Sequence, residues 1–197
     1  MNKLISFLPV ILILSGCSSL KHLDQDEQLK RWDKHQASVK KILTWKITGR
    51  LSVKNFNDSA MMNIHWAQSN DTYEIRLIAA LGQGTFLIKG SNKGVSIQTP
   101  KNEIFTANTL DQLIYEQLRW DIDLNALKFW IRGVPEPNTK YSQFLLNENG
   151  RLSDMKQSDF TVSVLRYQGS NGLFLPEKLF IKGKNIQLRL IINNWDI

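Results

Sequence analysis

The spacing of apolar residues changes several times along the chain, and each change marks an element. An apolar run from Leu4 to Leu14 follows Lys3, holds Pro9 and ends among small residues, the layout of a secretory leader. Its eleven residues are too few to cross a hydrocarbon core as a helix, which needs about 20. The run closes on Leu14-Ser15-Gly16-Cys17, the pattern of a lipobox, in which the cysteine thiol takes a diacylglyceryl group and becomes the first mature residue. A short tether follows. From Asp24 to Leu43 the apolar residues Leu29, Trp32, Val39 and Leu43 fall three, seven and four apart, one face of a helix. Asp24 with Glu27 outlines a capping box, with Asp in place of Ser or Thr.

After Leu43 the period becomes two. Trp45, Ile47, Gly49, Leu51 and Val53 alternate with polar residues, as do Met62, Ile64 and Trp66, then Tyr73, Ile75 and Leu77. Such segments are strands with one wet face. Asn55 to Ser59 and Gln68 to Asp71 carry turn chemistry. A loop at Ala79 to Gly84 precedes strands at Thr85 to Lys89, Val95 to Gln98 and near Ile104. The middle is helical: Leu110, Leu113, Ile114 and Leu118 with Thr109 or Asn108 as cap, then Leu124, Leu127, Trp130 and Ile131 with Asp123 as cap. Gly133 ends this stretch and Pro135 forbids its resumption. Strands return at Gln143–Asn147, Arg151–Lys156, Phe160–Tyr167, Glu177–Lys182 and Ile186–Asn193.

The pattern predicts one α+β domain over residues 24–197, after a leader at 1–16 and a lipidated tether at 17–23. A long antiparallel sheet with a single apolar face must curl or be covered. The economical form is a curved sheet making an incompletely closed β-barrel, with helices covering the open mouth. That shape encloses an apolar hollow, where small ligands bind.

Composition narrows the chemistry. Cys17 is the single cysteine, so disulfides are excluded and the fold stands on its own core. An unpaired thiol in an exported protein is a liability that acylation removes. The net charge is +7, from 25 Lys and Arg against 18 Asp and Glu. Basic residues are scattered, and an exported protein rarely meets nucleic acid. The dense cluster Lys30, Arg31, Lys34, Lys40 and Lys41 is a solvated helix face or a steering patch for an acidic partner. Of the catalytic signatures, no His-Glu-x-x-His and no Gly-x-Ser-x-Gly occur. His22, His35 and His65 are dispersed, and Asp121 and Asp123 read as loop and cap residues. No cofactor, metal site or enzymatic role is expected.

The set Trp45-x-x-x-Gly49-Arg50-Leu51, Trp66, Tyr73-x-x-Arg76-Leu77 and Leu81-Gly82, then Leu127-x-x-Trp130-Ile131-x-Gly133-x-Pro135, Val162-x-Val164-x-x-Tyr167, Leu175-Pro176 and Trp195 resembles the LolB family nearly end to end. It departs from the family at Ala80, where Pro is common, and at Phe160, where Trp is usual. The resemblance implies an outer-membrane lipoprotein receptor, a monomer anchored at the periplasmic face through Cys17. Its implied partners are LolA carrying client lipoproteins, the clients' acyl chains, and the inner leaflet of the outer membrane. It implies that some inward strand residues line an acyl-chain cavity, with Leu51, Met62, Ile64, Trp66, Ile75, Leu77, Val162, Val164, Leu179, Ile181 and Leu190 as candidates. It also implies that Leu81, with Gly82, forms an exposed tip which inserts clients into the membrane. Ser18, next to the acylated cysteine, agrees with outer-membrane sorting. A non-enzymatic scaffold lipoprotein of another outer-membrane assembly machine is the competing reading.

Overall fold

A computed structural model describes residues 25–56, 58–80 and 84–197. The leader, the tether with Cys17, and the loop tip with Leu81 and Gly82 lie outside the described residues. The elements run α1 (Gln25–Lys40), β1 (Thr44–Asn55), β2 (Ser59–Ser69), β3 (Thr72–Ala79), β4 (Thr85–Ser91), β5 (Gly94–Gln98) and β6 (Ile104–Ala107). They continue with α2 (Leu110–Leu118), α3 (Leu124–Trp130), β7 (Tyr141–Leu146), β8 (Leu152–Gln157), β9 (Phe160–Ser170), β10 (Leu173–Lys182) and β11 (Ile186–Asp196). Among the described residues no helix is long and apolar enough to cross a membrane.

The strands form one eleven-stranded antiparallel sheet in the order β6-β5-β4-β3-β2-β1-β11-β10-β9-β8-β7. It is two meanders joined where β1 pairs with β11, Leu51 opposite Leu190 and Val53 opposite Leu188. Period two survives along β1 because one face is buried: Trp45, Ile47, Leu51 and Val53 point in while Lys46, Arg50 and Lys54 point out. The β1–β11 register slips at Gly49. A Cβ there would sit 2.2 Å from the Ile191 carbonyl oxygen, so only glycine lets the strands close at this bulge, which bends the sheet.

Strands β6 and β7 are the two unpaired edges, and the chain between them holds α2 and α3. A segment tied to both edges has to cross the open mouth of the curved sheet. Helix α2 lies against β5 and β6. It stops at Arg119, whose left-handed φ of 58° lets its N–H reach the Tyr115 carbonyl at 3.0 Å. Thr109 stands at the start of α2, but its side chain makes no capping bond. Asp123 caps α3 as its sequence position suggests, accepting the Ala126 N–H at 2.8 Å. Gly133, with φ +75° and the Tyr167 ring and Pro176 packed beside it, turns the chain away.

Helix α1 corrects one expectation. Leu29 is 44% exposed and Leu43 59% exposed, so they do not belong to the packed face. The helix docks instead through Trp32, His35 and Val39, because its berth is the far half of the sheet. Trp32 packs edge-on against Phe144 of β7 at 5.0 Å, and His35 meets Tyr167 of β9 at 6.2 Å. Gly150 holds a positive φ of 69° beneath Arg31 and Gln28. Among the described residues the buried His35 Nε2 has no hydrogen-bond partner, and burial, then the Arg151 charge, lowers its pKa from 6.5 to about 4.

The unfolded chain therefore binds a proton near pH 6.5 that the folded chain refuses until about pH 4. Over that window the unfolded state holds more protons, so stability falls as pH drops. Discounted for a partly wet site, the loss is about 2 kcal/mol. His35→Leu is expected to flatten this acid limb in urea melts taken at neutral and mildly acidic pH. A melt that weakens as much as the unmodified chain on acidification would exclude His35 as the cause.

Candidate functional site: an apolar hollow under a helical cap

The concave face and the segment crossing it enclose a small hollow. The sheet contributes Leu51 of β1, Ile64 and Trp66 of β2, Ile75 and Leu77 of β3, Ile88 of β4 and Leu188 of β11. The cap contributes Ile114 of α2, Trp120 and Ile122 of the connector, and Leu124 and Leu127 of α3. The remaining free volume is about 30 Å³, room for one or two water-sized groups, and walls so uniformly apolar keep water out.

Of the eleven residues expected on strands, Leu51, Ile64, Trp66, Ile75 and Leu77 line this hollow. Met62, Val162, Val164, Leu179, Ile181 and Leu190 are buried in the same core but do not border the open space. The cap residues were absent from the strand-based reasoning. Their signal was partial: Leu124 and Leu127 share a helical face, whereas Trp120 and Ile122 lie where no period holds.

A second depression opens beside the hollow. It spans about 330 Å³ between the β2–β3 and β4–β5 turns and the first residues of α2 and α3, and it shares Trp66 and Leu124 with the hollow. These two side chains form the partition between vestibule and interior. Trp66 is held in place: its Nε1 donates to Gln68 Oε1 at 3.1 Å, and Gln68 Nε2 donates to the Asn70 carbonyl at 2.6 Å. Leu124 is held too, through its N–H on Asp111 Oδ1 at 3.2 Å. Burial, with the Asp123 charge adding to it, raises the Asp111 pKa above the usual carboxylate range despite that N–H. Burial, then Asp111, pushes Tyr73 in the vestibule wall up to about 12.

The cap is fastened at its far end by two polar clamps. Arg132 donates from Nε to the Lys128 carbonyl and from Nη1 to the Ile42 carbonyl, both at 2.9 Å, and lies 5.0 Å over Phe129. Burial lowers its pKa only to about 10, so it stays charged while it ties α3 to the chain leaving α1. The second clamp is Gln157 of β8, which accepts Trp130 Nε1 at 2.7 Å. Phe160, standing where the resembling family has Trp, packs at a tilt against the same Trp130, ring centres 5.2 Å apart.

The legs of the loop after β3 are described although its tip is not. The Ala79 N–H donates to the Gly84 carbonyl at 3.0 Å. Gly84 takes φ +105° against Pro100, where a Cβ would meet the proline at 2.4 Å. On α1, Arg31 pairs with Glu27 at 2.6 Å, while Lys30, Lys34 and Lys40, with Lys41 just after the helix, are exposed. Among the described residues no three His, Cys, Asp or Glu side chains gather where they could hold a metal ion.

The sequence is 31% identical over 189 residues to the outer-membrane lipoprotein LolB of Pseudomonas putida, covering 94% of this chain and 92% of that protein. It is 30% identical over 186 residues to the outer-membrane lipoprotein LolB of Pseudomonas aeruginosa, covering 93% and 90%. The fold is similar to that of a LolA superfamily protein from Nitrosomonas europaea, with a TM-score of 0.54 at 9% identity over 87% of this chain and 92% of that one. Residues 43–195, which hold every strand wall and cap residue of the hollow, match the family described as Outer membrane lipoprotein LolB, and the chain belongs to the LolB family.

Proposed function

We propose that the chain is an outer-membrane receptor that accepts acylated lipoproteins from the periplasmic carrier LolA into its apolar hollow and releases them into the outer membrane. The observation that carries this is the wholly apolar hollow beneath a cap hung between two sheet edges, with a vestibule one side chain away. The physical need is large. Each CH₂ left in water costs about 0.8 kcal/mol, so a client with three long chains faces on the order of 30 kcal/mol if carried bare. Transfer between greasy pockets avoids that exposure, and a downhill sequence of such transfers needs no nucleotide.

The resting hollow of about 30 Å³ holds no acyl chain, so the cap must lift from the sheet to admit one. In this reading Cys17 carries the anchor at the periplasmic face, the exposed lysines of α1 steer the carrier, and Leu81 at the loop tip dips into headgroups as a client leaves. The protein acts as a monomer without cofactor or catalysis. The small resting volume favours the competing reading, a solid scaffold, and binding separates the two. Protein beginning at Ser18, mixed with LolA carrying a radiolabelled client, is expected to end up holding the client. A client that stays on the carrier would defeat the receptor. Leu81→Glu is expected to leave that uptake intact while slowing delivery to liposomes, and unchanged delivery would remove Leu81 from the role.

A further inference from the structure

Phe56, between β1 and β2, is 82% exposed at one end of the sheet, and among the described residues no aromatic ring packs against it. Its flanks are tied together: the Asn55 N–H donates to the Asp58 carbonyl at 2.9 Å, and Asn55 Oδ1 accepts the Asp58 N–H at 2.8 Å. Behind it the outer face of the sheet is basic. Register sets Lys54, Gln187 and Lys182 in one row across β1, β11 and β10, with Arg189 beside Ser52 in the next row and Arg50 beside Ile191 in the one after. The outward positions among residues 50–54, 59–63, 178–182 and 187–191 include no carboxylate. Among the described residues Arg50, Lys54, Lys182 and Arg189 form no ion pair.

Between the two arginines and the apolar side chains of Met61, Ile78 and Ile191 runs a groove of about 380 Å³. Met61 in its wall is 72% exposed. An aromatic tip in a turn whose one carboxylate among the described residues is Asp58, backed by four cations without ion pairs among the described residues and by an apolar furrow, is the signature of a surface that lies on anionic lipid.

We infer that the Phe56 turn and the Arg50, Lys54, Lys182 and Arg189 face form a docking surface for the anionic phospholipid headgroups of a bilayer. Phe56 sinks to the level of the acyl ester groups, the guanidinium and ammonium groups meet phosphates, and the groove takes the glycerol region of one lipid. The vestibule lies at the other ends of β2 and β4, so a chain docked this way holds its opening away from the membrane, towards the carrier. The inference rests on the receptor reading for its setting.

The test uses the full chain in vesicles. The chain has a single cysteine of its own, at the acylation position, so Phe56→Cys can be labelled with an environment-sensitive fluorophore and Asn171→Cys, at the opposite end, serves as control. In vesicles containing phosphatidylglycerol the label at position 56 is expected to shift to the blue and to be quenched by spin-labelled lipid. Phosphatidylcholine vesicles, high salt, or joint replacement of the four basic residues by Gln should abolish the shift. Inorganic phosphate alone should not produce it, and the control site should not respond.

A label that stays wet in anionic vesicles, an equal response in both lipids, or a shift that needs added carrier instead of anionic lipid overturns the docking surface. If the Gln variant fails to fold, the lipid and salt comparisons on the labelled chain still decide. Client transfer measured in the same vesicles keeps the two readings apart. Transfer without a blue shift removes only the docking surface, and a blue shift without transfer removes only the receptor.

Discussion

Gln157→Leu is expected to lower the unfolding free energy by about 4 kcal/mol, a large part of the 5–15 kcal/mol that holds a typical domain together. The amide of Gln157 makes four hydrogen bonds from a site that is 1% exposed. Its oxygen accepts Trp130 Nε1 at 2.7 Å and the Glu136 N–H at 2.9 Å, and its nitrogen donates to the Glu136 carbonyl at 2.8 Å and the Thr139 carbonyl at 2.7 Å. Leucine fills the same space but leaves two donors and two acceptors without partners, each worth about 1–3 kcal/mol where water cannot replace the amide. The partners at Glu136 and Thr139 lie nearer solvent and recover part of theirs, hence the figure. Urea melts measure the loss. Gln157→Glu would set a carboxylate oxygen against the Glu136 and Thr139 carbonyls and bury its charge, so at neutral pH it should melt no later than Gln157→Leu. Equal midpoints for all three would show that the clamp carries no weight.

Gln157 also illustrates what one sequence leaves hidden. A polar residue at the end of a strand followed by Ser158 and Asp159 looks like the start of a turn. Its importance comes from the return of α3 and residues 136–139 across the sheet, which no local period announces. The same holds for the join of the two meanders. The alternation in β1 and β11 told which residues face inward, because a sheet wet on one side enforces it, but nothing local told that the first strand pairs with the last.

The face of α1 was misread for a related reason. Spacing selected Leu29, Trp32, Val39 and Leu43, whereas the berth formed by Phe144, Tyr167 and the Gly150 turn selects Trp32, His35 and Val39. Turns, caps and breakers were legible because their chemistry is local: Asp123 caps, Gly133 reverses the chain and Asn55 closes its turn. The loop with Leu81 and the pairing with a carrier came from family resemblance, since an isolated exposed leucine has no physical signature of its own.

Trp120→Ala is expected to move stability and ligand binding in opposite directions. The indole belongs to the connector between α2 and α3 and forms part of the hollow's wall with Ile122, Leu124 and Leu127. Its removal strips packing between cap and sheet and costs about 3–5 kcal/mol, as for other large core aromatics cut to alanine. The same removal enlarges an apolar space that at rest holds only about 30 Å³ and loosens the cap that closes it. A protein whose binding-competent form is a minor population has its affinity reduced by that fraction. Destabilising the closed cap raises the open fraction, so a fluorescent fatty-acid analogue should bind about tenfold tighter, a gain of 1.4 kcal/mol. A solid scaffold predicts the stability loss alone, because a void cut into a sealed core has no path for a long chain. If the variant melts earlier yet binds the analogue no better than its parent, the space under the cap is not where acyl chains go, and Trp120 is packing and nothing more.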